Sequence, residues 1–262
     1  MAMHKRGFGA ALLAAVVTLA ACGGGGGGDP TSVPVDADIT LLFFGNSHTH
    51  NHDVPGLVQT LVAAARPGRT VAAVTAPGLL FLDERLDHTA SVELMRSRRW
   101  SAVVLQAQRY STSGTVTYST VEAEEWVRRA RTAGAMPILF PEWPRRGVPE
   151  TPRILALHES IAAHQPACVP PIPQAFDIAR DSDPGLVLHA PDGNHASPAG
   201  ALLAALVIAG TFTGASPERA PTVPSAGVDG ATQARLRAAA TEALRQTSPW
   251  AWCPGDRPAG AG

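Results

Sequence analysis

Charge is scarce in this chain of 262 residues. Charged residues make up 16%, against the usual quarter, and 21 Lys and Arg nearly cancel 22 Asp and Glu to leave a formal net charge of −1. With no basic excess to neutralise a phosphate backbone, the composition argues against a nucleic-acid partner. Aromatic residues are also few, at 5%, too few for base-stacking platforms. Three cysteines do not make a disulfide scaffold, and no Cys-x-x-Cys pair suggests a structural zinc site. The near-zero charge offers no strong steering toward an anionic ligand and leans toward a small neutral one. What remains is a hydrophobic content of 45% and a mean hydropathy of +0.04, which rule out wholesale disorder.

The N-terminus reads as an address. Lys5 and Arg6 precede an apolar run from Phe8 to Ala20 that is too short to span a bilayer comfortably. The run ends in Leu19-Ala20-Ala21-Cys22. That ending resembles the lipobox of bacterial lipoproteins, which implies lipidation at Cys22 and a place in the bacterial cell envelope, attached to the membrane through the lipid anchor only. An ordinary secretory signal with Cys22 incidental is the competing reading. Residues 1–21 are then a signal peptide, and residues 22–38, with six consecutive glycines and two prolines, a flexible tether. One domain over residues 39–262 follows, since no internal repeat or second composition regime appears there. Cys168 and Cys253 either pair in an oxidising compartment or remain buried thiols, and spacing alone leaves both open.

Residues 39–44 (ITLLFF) form a short, wholly apolar run, as expected of a strand buried on both faces. Similar runs occupy residues 70–75, 102–105, 136–140 and, weakly, 168–172. Helical patterns cover residues 54–65, 83–98, 120–133 with Thr120 as cap, 152–164, 197–210 and 230–245, and residues 213–228 read as loop. This alternation predicts an α/β fold with a parallel sheet of about five strands and helices on both sides. Ligands in such sheets sit beyond the carboxyl ends of the strands.

There the first strand runs into Gly45-Asn46-Ser47, and Asp192-Gly193-Asn194-His195 precedes Ser197 and Pro198, the cap and first turn of a late helix. A serine becomes a nucleophile only with a base to take its proton and a carboxylate to orient that base. The two segments supply all three groups. GNS at the first strand's end, with VVLQAQ and LHAPDGNHASPAG further on, resembles the SGNH/GDSL hydrolases, in a bacterial branch whose opening motif reads GNS. The resemblance spans about residues 39–215. It implies a flavodoxin-like three-layer sandwich, no cofactor, and ester hydrolysis through a serine acyl-enzyme, with Ser47 as nucleophile, His195 as base and acid, and Asp192 as its partner. It implies oxyanion donors at the N–H groups of Ser47 and Gly78. The third block departs from the usual GxND. Gln108 falls where its asparagine would stand, with Gln106 the competing choice.

A rival feature follows directly: His48-Thr49-His50-Asn51-His52-Asp53. On an extended segment alternate histidines face one side, where His48, His50 and His52 would ligate a metal with a fourth group; otherwise His48 and His50 line the cleft and contact substrate. Trp143, after the fourth strand, is a candidate to stack on a sugar or acyl group, and packing over the sheet end is its alternative. The sequence therefore points to an envelope esterase acting on a small-molecule or carbohydrate ester. The alternative is a non-catalytic lipoprotein that binds a glycan or metal in the same cleft.

Overall fold

A computed structural model describes residues 1–2 and 37–261. Most of the expected signal, Cys22 and most of the tether lie outside the described residues. The chain divides into two units, Met1–Ser32 and Val33–Gly262, and the second carries everything that follows.

Its strands are β1 (Ile39–Phe44), β2 (Val71–Thr75), β3 (Ala102–Leu105) and β4 (Met136–Leu139). They pair in parallel in the order β2-β1-β3-β4, with Ile39 beside Val71, Leu41 beside Ala102, and Ala102 beside Met136. The helices in chain order are α1 (Ser47–His50), α2 (Val54–Ala65), α3 (Leu82–Arg85), α4 (Thr89–Arg96), α5 (Val121–Thr132), α6 (Thr151–His164), α7 (Ile172–Ser182), α8 (Pro198–Thr213) and α9 (Gly230–Gln246).

All six residues of β1 are buried because the sheet is covered on both faces. Leu41 and Phe43 enter one core with α2, α7, α8 and α9. Leu42 and Phe44 enter the other with α3, α4, α5 and α6. Each fully buried Leu or Phe contributes about 1.5–3 kcal/mol, so the alternation along β1 ties both layers to one strand. Helix α8 is apolar all round, and 14 of its 16 residues are buried beneath α2, α7 and α9. No described helix is long and apolar enough to cross a membrane. The result is the expected three-layer α/β/α sandwich.

The strand count is lower than predicted. The run at 168–172 contributes only a single bridge, Ile138 to Cys168, because Pro170 and Pro171 cannot donate to a ladder. Residues from 172 onward form α7 instead, with Ile172, Ala175, Phe176 and Ala179 buried at helical spacing. The helix expected over 83–98 breaks into α3 and α4. Arg85, turned inward, donates to Ser91 Oγ at 2.9 Å, and the chain at His88 is extended. Thr120 occupies the N-cap position of α5, but its hydroxyl donates to Glu124 Oε1 rather than accepting a backbone N–H, and the 213–228 segment contains two short 3-10 turns. Cys168 and Cys253 are disulfide-bonded, with Cα atoms 5.1 Å apart.

Candidate active site

Strand order reverses at β1: its chain continues to β2 on one side, while β3 lies on the other. The crevice at such a switch point is where ligands bind, and the segments after β1 and β3 line it. Gly45 ends β1. A Cβ there would lie 2.0 Å from Thr49 Oγ1 and 2.5 Å from Gln106 Oε1, so only glycine allows the turn to close. Asn46 caps α1 by accepting His48 N–H at 3.1 Å. Ser47 is the first residue of α1, so its own N–H has no acceptor within the helix.

Ser47 Oγ lies 2.9 Å from His195 Nε2, and His195 Nδ1 lies 2.5 Å from Asp192 Oδ2. The other carboxylate oxygen of Asp192 accepts the N–H groups of Asn194 and His195 at 2.9 and 3.0 Å. One Asx-turn therefore shapes the loop and aims the imidazole. The bond from His195, then those backbone donors, hold the Asp192 carboxyl well below the usual carboxylate range. An ionised Asp192 assigns the proton to Nδ1 and leaves the Nε2 lone pair facing Ser47. Ser197 caps α8, accepting from Gly200 N–H at 3.2 Å, so the loop carrying His195 is fixed at both ends.

Other residues the sequence singled out take different parts. Gln106 is fully buried: its Oε1 holds Asn46 N–H at 2.8 Å and Thr49 Oγ1 at 2.9 Å, and its Nε2 donates to Glu142 at 2.6 Å. It pins the turn that carries Ser47 and is itself sealed from the cleft. Gln108 lines the cleft, but its Nε2 donates to the carbonyls of Arg109 and Ser119 at 2.9 and 2.8 Å. Its amide protons are thus spent on backbone and are not offered to an oxyanion. Between them Ala107 has φ +77°, a left-handed conformation that costs a non-glycine residue about 1–2 kcal/mol.

Trp143 is 2% exposed, so it does not present a face to a sugar. It stacks on Phe176, contacts His48, and donates to the Asn194 carbonyl at 2.8 Å. The three histidines do not share a side, because the segment is helical rather than extended. His48 is buried with its ring stacked on His195 at 5.0 Å, His50 is exposed, and His52 sits in left-handed backbone. Among the described residues, the group of three potential ligand atoms within 4.8 Å of one another is Cys168, Cys253 and Asp256, two of them disulfide-bonded. Gly78 has φ +81° and lies exposed in the turn after β2, where glycine tolerates that backbone.

An open cleft of about 200 Å³ is lined by Asn46, His48, Phe81, Tyr110, Tyr118, Glu142 and Asn194 among others; it adjoins the segments that carry Ser47 and His195, whose own side chains are not part of its lining. A larger groove of about 710 Å³ lies between α4 and α5, lined by Arg96, Arg99 and Arg128, and shares no lining residue with that cleft.

Solved structures share this architecture. A protein from Slackia heliotrinireducens described as a candidate SGNH hydrolase aligns with a TM-score of 0.53 at 25% identity, covering 66% of this chain and 98% of that one. The chain resembles the SGNH/GDSL hydrolases in fold as well as motif. A DUF4886 family protein from Bacteroides uniformis aligns with a TM-score of 0.62 at 17% identity, covering 79% of this chain and 95% of that one; at that identity the likeness is one of fold. No family model matches the sequence, and no curated protein matches it.

Arg85 was not among the residues the sequence singled out. It is fully buried and donates to the carbonyls of Gly45, Pro77 and Gly78 at 2.6, 3.1 and 2.7 Å. In the sequence it reads as an ordinary charge on a helix, and only its turn inward reveals the role.

Proposed function

We propose that this chain is a serine ester hydrolase acting through Ser47, His195 and Asp192. The observation that carries the reading is the continuous relay from Ser47 Oγ to His195 Nε2 and from Nδ1 to Asp192, at 2.9 and 2.5 Å. Ser47 Oγ attacks the ester carbonyl carbon as its proton passes to Nε2. The carbonyl oxygen becomes an oxyanion held by the N–H groups of Ser47 and Gly78. The intermediate collapses, the C–O bond breaks, and the leaving alkoxide takes the proton from His195. Water, deprotonated by His195, then attacks the acyl-enzyme and releases the acid and free Ser47.

A cleft of about 200 Å³ suits a small acyl group better than a fatty chain. Its hydroxyl- and amide-bearing rim (Asn46, Tyr110, Tyr118) favours a hydroxylated alcohol portion, so an acetylated carbohydrate is the substrate class we assign. Export, lipidation at Cys22 and a place in the cell envelope complete the proposal. A metal-binding role for His48, His50 and His52 is less favoured, because the three side chains do not share one side.

The test is hydrolysis of p-nitrophenyl acetate by residues 39–262, alongside Ser47→Ala and His195→Ala, with fluorophosphonate labelling of Ser47. Both variants are expected to lose at least 10³-fold in kcat/KM. Activity surviving both substitutions rejects the triad. For the anchor, Cys22→Ser in the full chain is expected to release the protein from membranes, and retention there rejects lipidation.

A further inference from the structure

We infer that Arg85 is a positioning residue for the oxyanion hole: its buried guanidinium holds the turn after β1 and the turn after β2 in one frame and aims the Gly78 N–H toward the cleft. The inference rests on the esterase reading above. A peptide unit is planar and trans, and no cis bond occurs among the described residues, so the C=O and N–H of one unit point in opposite directions. The carbonyl of Pro77 is bound by Arg85 Nη1 at 3.1 Å. The N–H on the same peptide unit belongs to Gly78, and it must therefore point away from the buried guanidinium, on the exposed side of the turn. The Gly78 carbonyl is held by Nη2 at 2.7 Å, which fixes the next peptide plane as well.

The same nitrogen holds the Gly45 carbonyl at 2.6 Å. By the same geometry the Asn46 N–H points away from Arg85, and it meets Gln106 Oε1 at 2.8 Å. One side chain thereby sets the position of the Gly45–Asn46 peptide, one residue before Ser47, relative to the two peptides flanking Gly78, and so couples the two segments that must present N–H groups to one oxygen atom.

The energetics favour function over packing as the reason for the residue. All four hydrogen-bond partners are neutral: three carbonyls and Ser91 Oγ. A buried cation without a bound carboxylate costs several kcal/mol to desolvate, and an apolar side chain would fill α3 at lower cost. Burial pulls the guanidinium down to about 10, so it remains a cation at neutral pH. A fixed positive charge behind preorganised N–H donors stabilises an oxyanion most where water is excluded.

The experiment compares Arg85→Lys and Arg85→Gln with the unsubstituted protein. It reads kcat and KM on p-nitrophenyl acetate, the inhibition constant of phenylboronic acid, and the unfolding midpoint. Phenylboronic acid adds to Ser47 Oγ, with the proton passing to His195, and places a boron-bound oxygen in the oxyanion position. We expect kcat to fall about 10-fold in Arg85→Lys and 100-fold or more in Arg85→Gln, within the range for loss of one oxyanion donor. KM should stay within about twofold, and boronic-acid affinity should fall in proportion to kcat/KM. A purely structural role would lower the midpoint without that proportionality. If neither variant folds, Ser91→Ala, which removes one of the two Nη1 partners (and the His88 contact of Ser91) and leaves the three carbonyls in place, should lower kcat two- to fivefold at constant KM. A folded Arg85 variant, or failing that Ser91→Ala, with unchanged kcat overturns the inference. Unsubstituted protein with neither turnover nor Ser47 labelling overturns the esterase reading itself, and is distinguishable because it fails before any variant is compared.

Discussion

Replacing Trp143 by Phe separates two roles for the aromatic side chain nearest the histidine loop. The indole is buried, lies against Phe176 with ring centroids 5.2 Å apart, and donates to the Asn194 carbonyl at 2.8 Å. The substitution removes roughly 40 Å³ of side chain, which at about 24 cal/mol per Å³ of residual cavity costs about 1 kcal/mol. Loss of the hydrogen bond, leaving the Asn194 carbonyl without its indole donor, adds about 1–2 kcal/mol. The sum, about 2–3 kcal/mol, should appear as a lower urea midpoint at unchanged slope. Asn194 immediately precedes His195, so a loosened carbonyl there lets the imidazole drift from Ser47. A misplacement of that kind should lower kcat about tenfold while KM stays within twofold. A residue that stacks on the substrate behaves oppositely, raising KM with little effect on stability. Equilibrium unfolding and steady-state kinetics on the same preparation decide the matter. A raised KM with unchanged midpoint would refute the packing role argued here.

Gln108→Ala should leave kcat on p-nitrophenyl acetate within about threefold, because its amide donates to the Arg109 and Ser119 carbonyls; a tenfold loss would restore it as an oxyanion donor. His158 is buried, donates Nδ1–H to the Ile154 carbonyl, and is held down to about 4 by burial. Between that value and its unfolded value near 6.5 the unfolded state binds more protons. The contribution of His158 is therefore complete above about pH 6.5 and is lost as pH falls toward 4, on the order of 3 kcal/mol in all. His158→Leu should flatten that limb of a stability–pH profile, and an unchanged slope between pH 4 and 6.5 would count against it. The Cys168–Cys253 bond closes a separation of 85 residues, worth up to about 4–5 kcal/mol in chain entropy. Reduction, or the paired change to Ala, should lower the denaturant midpoint accordingly, and an unmoved midpoint would deny the bridge in the folded protein.

Much of the scaffold was legible because each element announces itself locally. The apolar runs at 39–44 and 102–105 became β1 and β3, and the pattern at 54–65 became α2 to the residue. Misreadings arose where a local signal was ambiguous. A five-residue run at 168–172 with two prolines inside it fits a strand or a helix start, and α7 won because its i, i+3, i+4 and i+7 positions reach the core. The histidine segment showed period-two spacing, yet Asn46 capped it into a helical turn.

Sequence by itself determined the strand order in time, the two ends of the relay and the residue types at Ser47, Asp192 and His195, because motif and strand-end position are local properties. It did not determine which polar groups are spent. Gln106 and Gln108 are chemically alike and two residues apart, but which carbonyl or N–H each meets depends on chain segments up to 60 residues distant. The charge with which the sequence is so sparing shows the same limit: Arg85 is one basic residue among 21, and only tertiary packing buries it beneath three carbonyls. Hydrogen bonding in a folded interior is a property of the whole arrangement, so the donors left for chemistry were decided by tertiary structure alone.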